Sequence, residues 1–228
     1  IVVAGGDIEI VQLKKLLEPV LKEIKNGKAK TMTYFDARKD EKEVVLEKES
    51  EQAYIYFGAP FYMKSGDEES YKAKVASFIL GESGFGSRLM EEIRVKRGLA
   101  YSSYARTSVG KSQSSFTGHL QTKNENLDEA KKIVKEEIAR FVQNGATQEE
   151  LAQAKRFLLG SEPLRNETLS QRLSRAFFEY YGGFELGHSK KQLEKIEKLS
   201  LEELNSFIKK HDEITKLSFS VVTKRAKP

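Results

Sequence analysis

Arg94 and Tyr101 stand seven residues apart in the stretch Gly84-Phe85-Gly86-Ser87-Arg88-Leu89-Met90-Glu91-Glu92-Ile93-Arg94-Val95-Lys96-Arg97-Gly98-Leu99-Ala100-Tyr101. A permanent cation and a phenol O–H brought to one point are two donors that suit a carbonyl oxygen gaining negative charge. For the two to meet, a helix must carry Arg94 near its end and a turn must start a strand at Tyr101. The pattern supports that. Gly84 and Gly86 let the backbone turn. Ser87 is placed to accept a hydrogen bond from the first free helix amides. Leu89, Met90 and Ile93 recur at helical spacing, and Gly98 stops the helix. On residue types alone the ordinary reading still outweighs the chemical one: Arg94 on a solvated helix face and Tyr101 in a sheet.

The same stretch resembles the C-terminal half-domain of the insulinase and mitochondrial-processing-peptidase family of zinc metallopeptidases. The resemblance lies in Ser87-Arg88-Leu89, followed by Arg94-x-Lys96-Arg97-Gly98-Leu99-Ala100-Tyr101, and extends over nearly the whole chain. It implies that Arg94 and Tyr101 bind the substrate backbone near the scissile bond. It also implies that two halves close around an unfolded peptide, the other half supplying zinc and the base. The glycine loop, with Gly84, Phe85 and Gly86, joins two helices on the ordinary reading. By the resemblance it is a substrate-contacting loop, although shorter than the family's.

The family's zinc motif, His-x-x-Glu-His, is absent. The three histidines, His119, His188 and His211, are too far apart in sequence to share one helical turn. They are expected on a polar strand face, in a loop and at a helix C-terminus favoured by the dipole. The chain is therefore expected to hold no metal and to be inactive alone. Zinc in the parent enzyme would sit in the other half. There is no Gly-x-Ser-x-Gly elbow, and Gly84-x-Gly86 lacks the later glycine of a dinucleotide loop. Glu91-Glu92 and Glu149-Glu150 read as solvated neighbours on helices.

The 228 residues suit one large domain, or a domain plus a connecting segment. Apolar content of 39% and charged content of 32% are those of a soluble globular protein. The net charge of +5 and pI of about 9.1 could suit nucleic acid, but Lys and Glu are mixed along Lys190 to Lys198 and Leu201 to Lys210. Only the tail at Lys224-Arg225-Ala226-Lys227 is basic throughout, and it reads as a solvated end. No nucleic-acid or membrane partner is expected. Cysteine is absent, which excludes disulfides and thiolate sites and leaves cytoplasm or periplasm undecided. No signal peptide is visible. The start, without Met and inside a strand-like run, reads as that of a fragment or processed product.

Along the chain, Ile1 to Ala4 reads as a buried strand. Asp7 is placed to cap a helix that Pro19 should kink or restart. Residues 28–43 are charged and irregular and read as a linker; by the resemblance, residues 1–27 end a preceding half-domain and 44–228 are the second, substrate-binding half. Strands are expected at Val44 to Leu46, at Ala53 to Ala59 with both faces covered, in a hairpin of Tyr101 to Ser108 with Ser114 to Gln121, and at Leu217 to Thr223. Tyr101, Ser103, Ala105 and Thr107 would share one face. Helices are expected from Tyr71 to Leu80, after Asn126, after Thr147 with its capping-box Glu150, from Leu169 to Tyr180, around Leu193 and Ile196, and after Ser200 with Glu203. The sum is an α+β fold, an antiparallel sheet of five to six strands with helices packed on one face. A scaffold subunit of the same fold is the alternative, against which the presence of Arg94 and Tyr101 argues.

Overall fold

The structure is a computed structural model that describes residues 1–28 and 30–224. Of the basic tail only Lys224 lies inside it, exposed and 3.4 Å from Glu49; the expectation for Arg225 to Lys227 lies outside the described residues.

Among the described residues five strands form one sheet: β1 (Glu43–Glu47), β2 (Gln52–Pro60), β3 (Ala100–Val109), β4 (Ser114–Lys123) and β5 (Ser218–Thr223). Their order is β1-β5-β2-β4-β3. All neighbours are antiparallel except β1 and β5, which run parallel. Among the described residues eight helices accompany them: α1 (Ile10–Lys22), α2 (Ser70–Ser77), α3 (Arg88–Met90), α4 (Leu127–Asn144), α5 (Gln148–Gly160), α6 (Leu169–Gly182), α7 (His188–Lys198) and α8 (Leu201–Lys210). α2 and α3 each continue into a widened π-type turn, Phe78–Glu82 and Glu91–Val95.

Period-two alternation decides which face of the sheet is covered. On β2, Ala53, Ile55, Phe57 and Ala59 are buried while Tyr54 and Tyr56 are exposed. On β4, Phe116 and Leu120 are buried, and on β5 Phe219 and Val221. These meet Ile133, Val134, Ile138 and Phe141 of α4 and Leu204, Phe207 and Ile208 of α8 in one core. The expectation that Ala53 to Ala59 is covered on both faces is thus corrected. β2 is central, but helices pack on one side only, and its tyrosines sit on the other.

Further corrections concern ends and caps. Ile1 to Ala4 form no strand and are exposed. They lie beside Ala176 and Tyr180 of α6 and Leu186 just after it, rather than beside a sheet edge that could take up their backbone groups. α1 starts after Glu9 with no side-chain cap, so Asp7 caps nothing, and it runs through Pro19 to Lys22. One missing N–H near the last turn is tolerated there. Asn126 makes no cap bond either. Instead, Asn124 takes the tight turn before α4 and bonds Ser50 and Thr223. The capping boxes at Thr147 with Glu150 and at Ser200 with Glu203 are both formed, and a third stands at Thr168 with Gln171.

Candidate functional site

The glycine loop and α3 are held from three sides. Gly81 touches β3: a Cβ there would lie 2.7 Å from the backbone nitrogen of Ala105, so only glycine allows this approach. Gly84 and Gly86 take left-handed φ values of 67° and 94°, which lets Phe85 project between them, 66% exposed. Ser87 does not accept from the helix amides as expected. Its hydroxyl donates to the Gly84 carbonyl at 2.7 Å, closing the loop. At the far end, Gly98 adopts φ 61°, and the Leu99 N–H returns to the Ile93 carbonyl at 2.9 Å, a helix end of the left-handed glycine type.

Arg88 is the buttress. Its Nε and Nη2 donate to both Glu150 oxygens at 2.6 and 2.8 Å, and Nη2 also donates to the Gly145 carbonyl at 2.8 Å. Glu137 lies 3.7 Å away, and the guanidinium covers the Phe141 ring at 4.9 Å. Burial pushes the Glu150 carboxyl up, but its bonds to Arg88 and Thr147 outweigh that and hold it low. Burial raises Glu137 on balance, against the opposing charges of Arg140 and Arg88. Glu92 is also buried. Lys96 at 2.6 Å, with Arg97 at 2.6 Å, holds its carboxyl low against the effect of burial. Glu92 and Glu150 are therefore not solvated, as their positions on helices suggested; each anchors a cation that fixes this corner of the fold.

Tyr101 is aimed by a β-bulge. β3 pairs with β4 in register at Ala100 and again at Ser103, with an irregularity between them. The extra residue reverses the parity, so Ala100, Ser103 and Ala105 are all buried while Tyr101 is 81% exposed. The expected shared face of Tyr101 with Ser103, Ala105 and Thr107 is corrected accordingly; bulges re-aim side chains in this way beside functional sites.

The result is a three-layer stack. The Arg94 guanidinium lies 4.4 Å from the Phe85 ring and 4.4 Å from the Tyr101 ring. Among the described residues no carboxylate or carbonyl takes its N–H groups. Two ring faces thus fix the plane of the guanidinium and leave its donor edge to solvent. Sequence reasoning named all three residues but not their stacking, and it passed over Arg88. A signal for Arg88 existed, since a cation at the first position of a helix opposes the dipole and needs acidic partners elsewhere.

The histidines do not converge. His119 stacks with Tyr56 at 5.8 Å on the open face. His188 opens α7 rather than lying in a loop, 4.0 Å from the Phe184 ring. His211 is buried after α8 between Phe61 and Phe207, with Nδ1 2.8 Å from Glu213. Among the described residues no three His, Cys, Asp or Glu side chains are grouped as metal ligands, so the donors present do not fit a zinc site. No helix is long and apolar enough to cross a membrane among the described residues.

Fold and site together define a one-faced α+β domain with an Arg–Tyr donor stack and, among the described residues, no grouped metal ligands. Residues 1–158 match the family model described as the peptidase M16 inactive domain; the chain belongs to that zinc-protease family. It is 46% identical over 227 residues to the Helicobacter pylori (strain ATCC 700392 / 26695) non-peptidase homolog YmxG, covering 100% of this chain and 52% of that protein. It is 31% identical over 128 residues to the Bacillus subtilis (strain 168) uncharacterized zinc protease YmxG, covering 56% of this chain and 31% of that one. Among solved structures, the peptidase M16 inactive domain from Pseudomonas fluorescens shares its fold at TM-score 0.84 and 24% identity, over 98% of this chain and 53% of that chain. The chain spans about half the length of the full-length Helicobacter relative, at 52%.

Proposed function

We propose that this chain is the substrate-binding, zinc-free half of a metalloendopeptidase and completes the site of a zinc-bearing half. The observation that carries the reading is the Phe85–Arg94–Tyr101 stack. It is a cation with unpaired donors, flattened between rings, beside a phenol presented by a bulge. Neither a half-buried arginine held this way nor a bulge that exposes a tyrosine is needed for the core. In the proposed role Arg94 and Tyr101 donate to the substrate backbone at the scissile carbonyl and hold its oxygen as negative charge develops. Because both sit on packed elements, they need no reorganisation during reaction. The unfolded peptide lies between the halves. In this reading zinc belongs to the other half, since the donors among the described residues do not fit it.

A second reading has its own support. The Helicobacter relative at 46% identity is named a non-peptidase, which suits either a subunit whose zinc comes from a separate partner or a scaffold of the same fold. The purified chain decides part of this. It should bind an unfolded peptide, release no peptide products and carry no stoichiometric zinc, and Arg94→Met should weaken peptide binding. Stoichiometric zinc, or peptide binding indifferent to Arg94→Met, contradicts the proposal.

A further inference from the structure

We infer that the open face of the sheet is a docking surface for an extended acidic peptide segment, one carrying a carboxylate two residues from an aromatic side chain. This rests on reading the chain as a peptide-binding half and adds the class of peptide. The register lays the outward residues in rows across the strands. Tyr56, His119 and Tyr104 are direct cross-strand partners on β2, β4 and β3. Their rings form a continuous stripe, 5.8 Å from Tyr56 to His119 and 5.8 Å from His119 to Tyr104. Tyr56 is 55% exposed. The next row ends at Arg106, opposite Thr117, exposed and without a carboxylate partner among the described residues. The bulge exposes Tyr101, stacked on Arg94, at the start of the same edge strand.

Charge selects the occupant. The protein has 34 acidic residues, yet the outward positions of the five strands carry none. Glu43 and Glu47 on β1 are in register with Phe219 and Thr223, the helix-side positions of β5, and Glu43 pairs with Lys131 of α4. Arg106 and Lys123 are the fixed cations facing outward, Lys123 lying 3.7 Å from Glu125. A cationic peptide would find no carboxylate at the outward strand positions. A phosphate backbone needs a longer row of cations than these two. A second copy laid face to face would bring no carboxylate to Arg106, since the outward strand positions hold none. An extended acidic segment fits: its alternate side chains are about 7 Å apart, the spacing of Tyr104 and Arg106 along β3. An aromatic side chain on the stripe then puts a carboxylate on Arg106 two residues away.

The test is fluorescence anisotropy of short labelled peptides against the 228-residue chain. The peptides share a Phe-x-Glu, Phe-x-Gln or Phe-x-Lys core. Glu should bind tighter than Lys by on the order of tenfold at low salt, an attraction exchanged for a repulsion, and the gap should close at high salt. Arg106→Glu should reverse the ranking, and Tyr56→Ser should weaken all three peptides alike. Moving Glu next to Phe should remove its advantage. Equal binding of the three, or a ranking unmoved by Arg106→Glu, overturns the inference. So does tighter binding of a single-stranded oligonucleotide, or self-association that the Glu peptide does not displace. Arg94→Met should leave the Glu-over-Lys ranking in place. Failure of the donor-stack reading therefore shows in Arg94 and Tyr101 variants, while failure of this one shows at Arg106.

Discussion

Arg88→Met tests whether the donor stack stands on a buried ionic hub. Methionine keeps an apolar stem over Phe141 and removes the bonds to both Glu150 oxygens, to the Gly145 carbonyl and to the neighbourhood of Glu137. Removing one partner of a buried ion pair costs about 3–5 kcal/mol. Here the lower end, about 3 kcal/mol, applies, because Arg88 and Glu150 side chains keep 13% and 22% exposure and Glu137 retains Arg140 at 2.8 Å. For a chain of this length that is a fall in Tm of about 6–12 °C. The pH dependence gives a second readout. Arg88 helps hold Glu150 low, so that pair contributes stability above the carboxylate's unfolded pKa and loses it as pH falls through the lowered folded value. Without Arg88 both Glu150 and the already raised Glu137 move up, and protonation relieves them. The gap between wild type and variant should be full at neutral pH and shrink in acid. Urea unfolding at several pH values measures it. A loss below about 1 kcal/mol, as for a surface pair, or a gap independent of pH refutes the hub.

Three other outcomes follow from the same geometry. Phe85→Ala removes one of two ring faces from Arg94, about 0.5–1 kcal/mol; peptide cleavage by the assembled enzyme should fall by about fivefold at most, with Tm unmoved because Phe85 is exposed. Gly81→Ala forces a Cβ within 2.7 Å of the Ala105 nitrogen and should lower stability by about 1–3 kcal/mol, read by urea unfolding. Glu92→Gln weakens the bonds to Lys96 and Arg97 and should cost about 1.5 kcal/mol at neutral pH. Since the Glu92 carboxyl is held low by Lys96 and Arg97, wild type and variant should converge as pH falls below 4.5, its ordinary value.

The elements were legible where a local signal and the global fold agreed. Thr147 with Glu150 and Ser200 with Glu203 announce helices through reciprocal bonds closed within the helix's own first turn. The alternation in Ser114 to Gln121 gives the inner and outer faces of β4 directly. Legibility failed where the deciding partner is distant in sequence. Ala-Tyr-Ile-Tyr-Phe-Gly-Ala is apolar at every position, so nothing local says that Tyr54 and Tyr56 face outward; the one-sided helix layer decides it. The bulge after Ala100 is set by pairing with β4 and reverses the parity of one residue, Tyr101. Ile1 to Ala4 has strand composition but no sheet edge beside it. Arg94 and Tyr101 were found by resemblance rather than by physics, and their stacking with Phe85 needed the loop geometry at Gly84 and Gly86. Glu92 and Glu150 looked solvated because their cations stand on a later turn and on another helix.

The most direct measurement of the central claim is peptide cleavage by this chain assembled with a zinc-bearing half, comparing wild type with Tyr101→Phe. The substitution keeps the ring against Arg94 and removes only the phenol donor, on a side chain that is 81% exposed. The account predicts activity only when both halves are present, and a loss on the order of 10²-fold in kcat for Tyr101→Phe at unchanged Tm. Cleavage that is as fast without the phenol, or as fast without this chain, contradicts it.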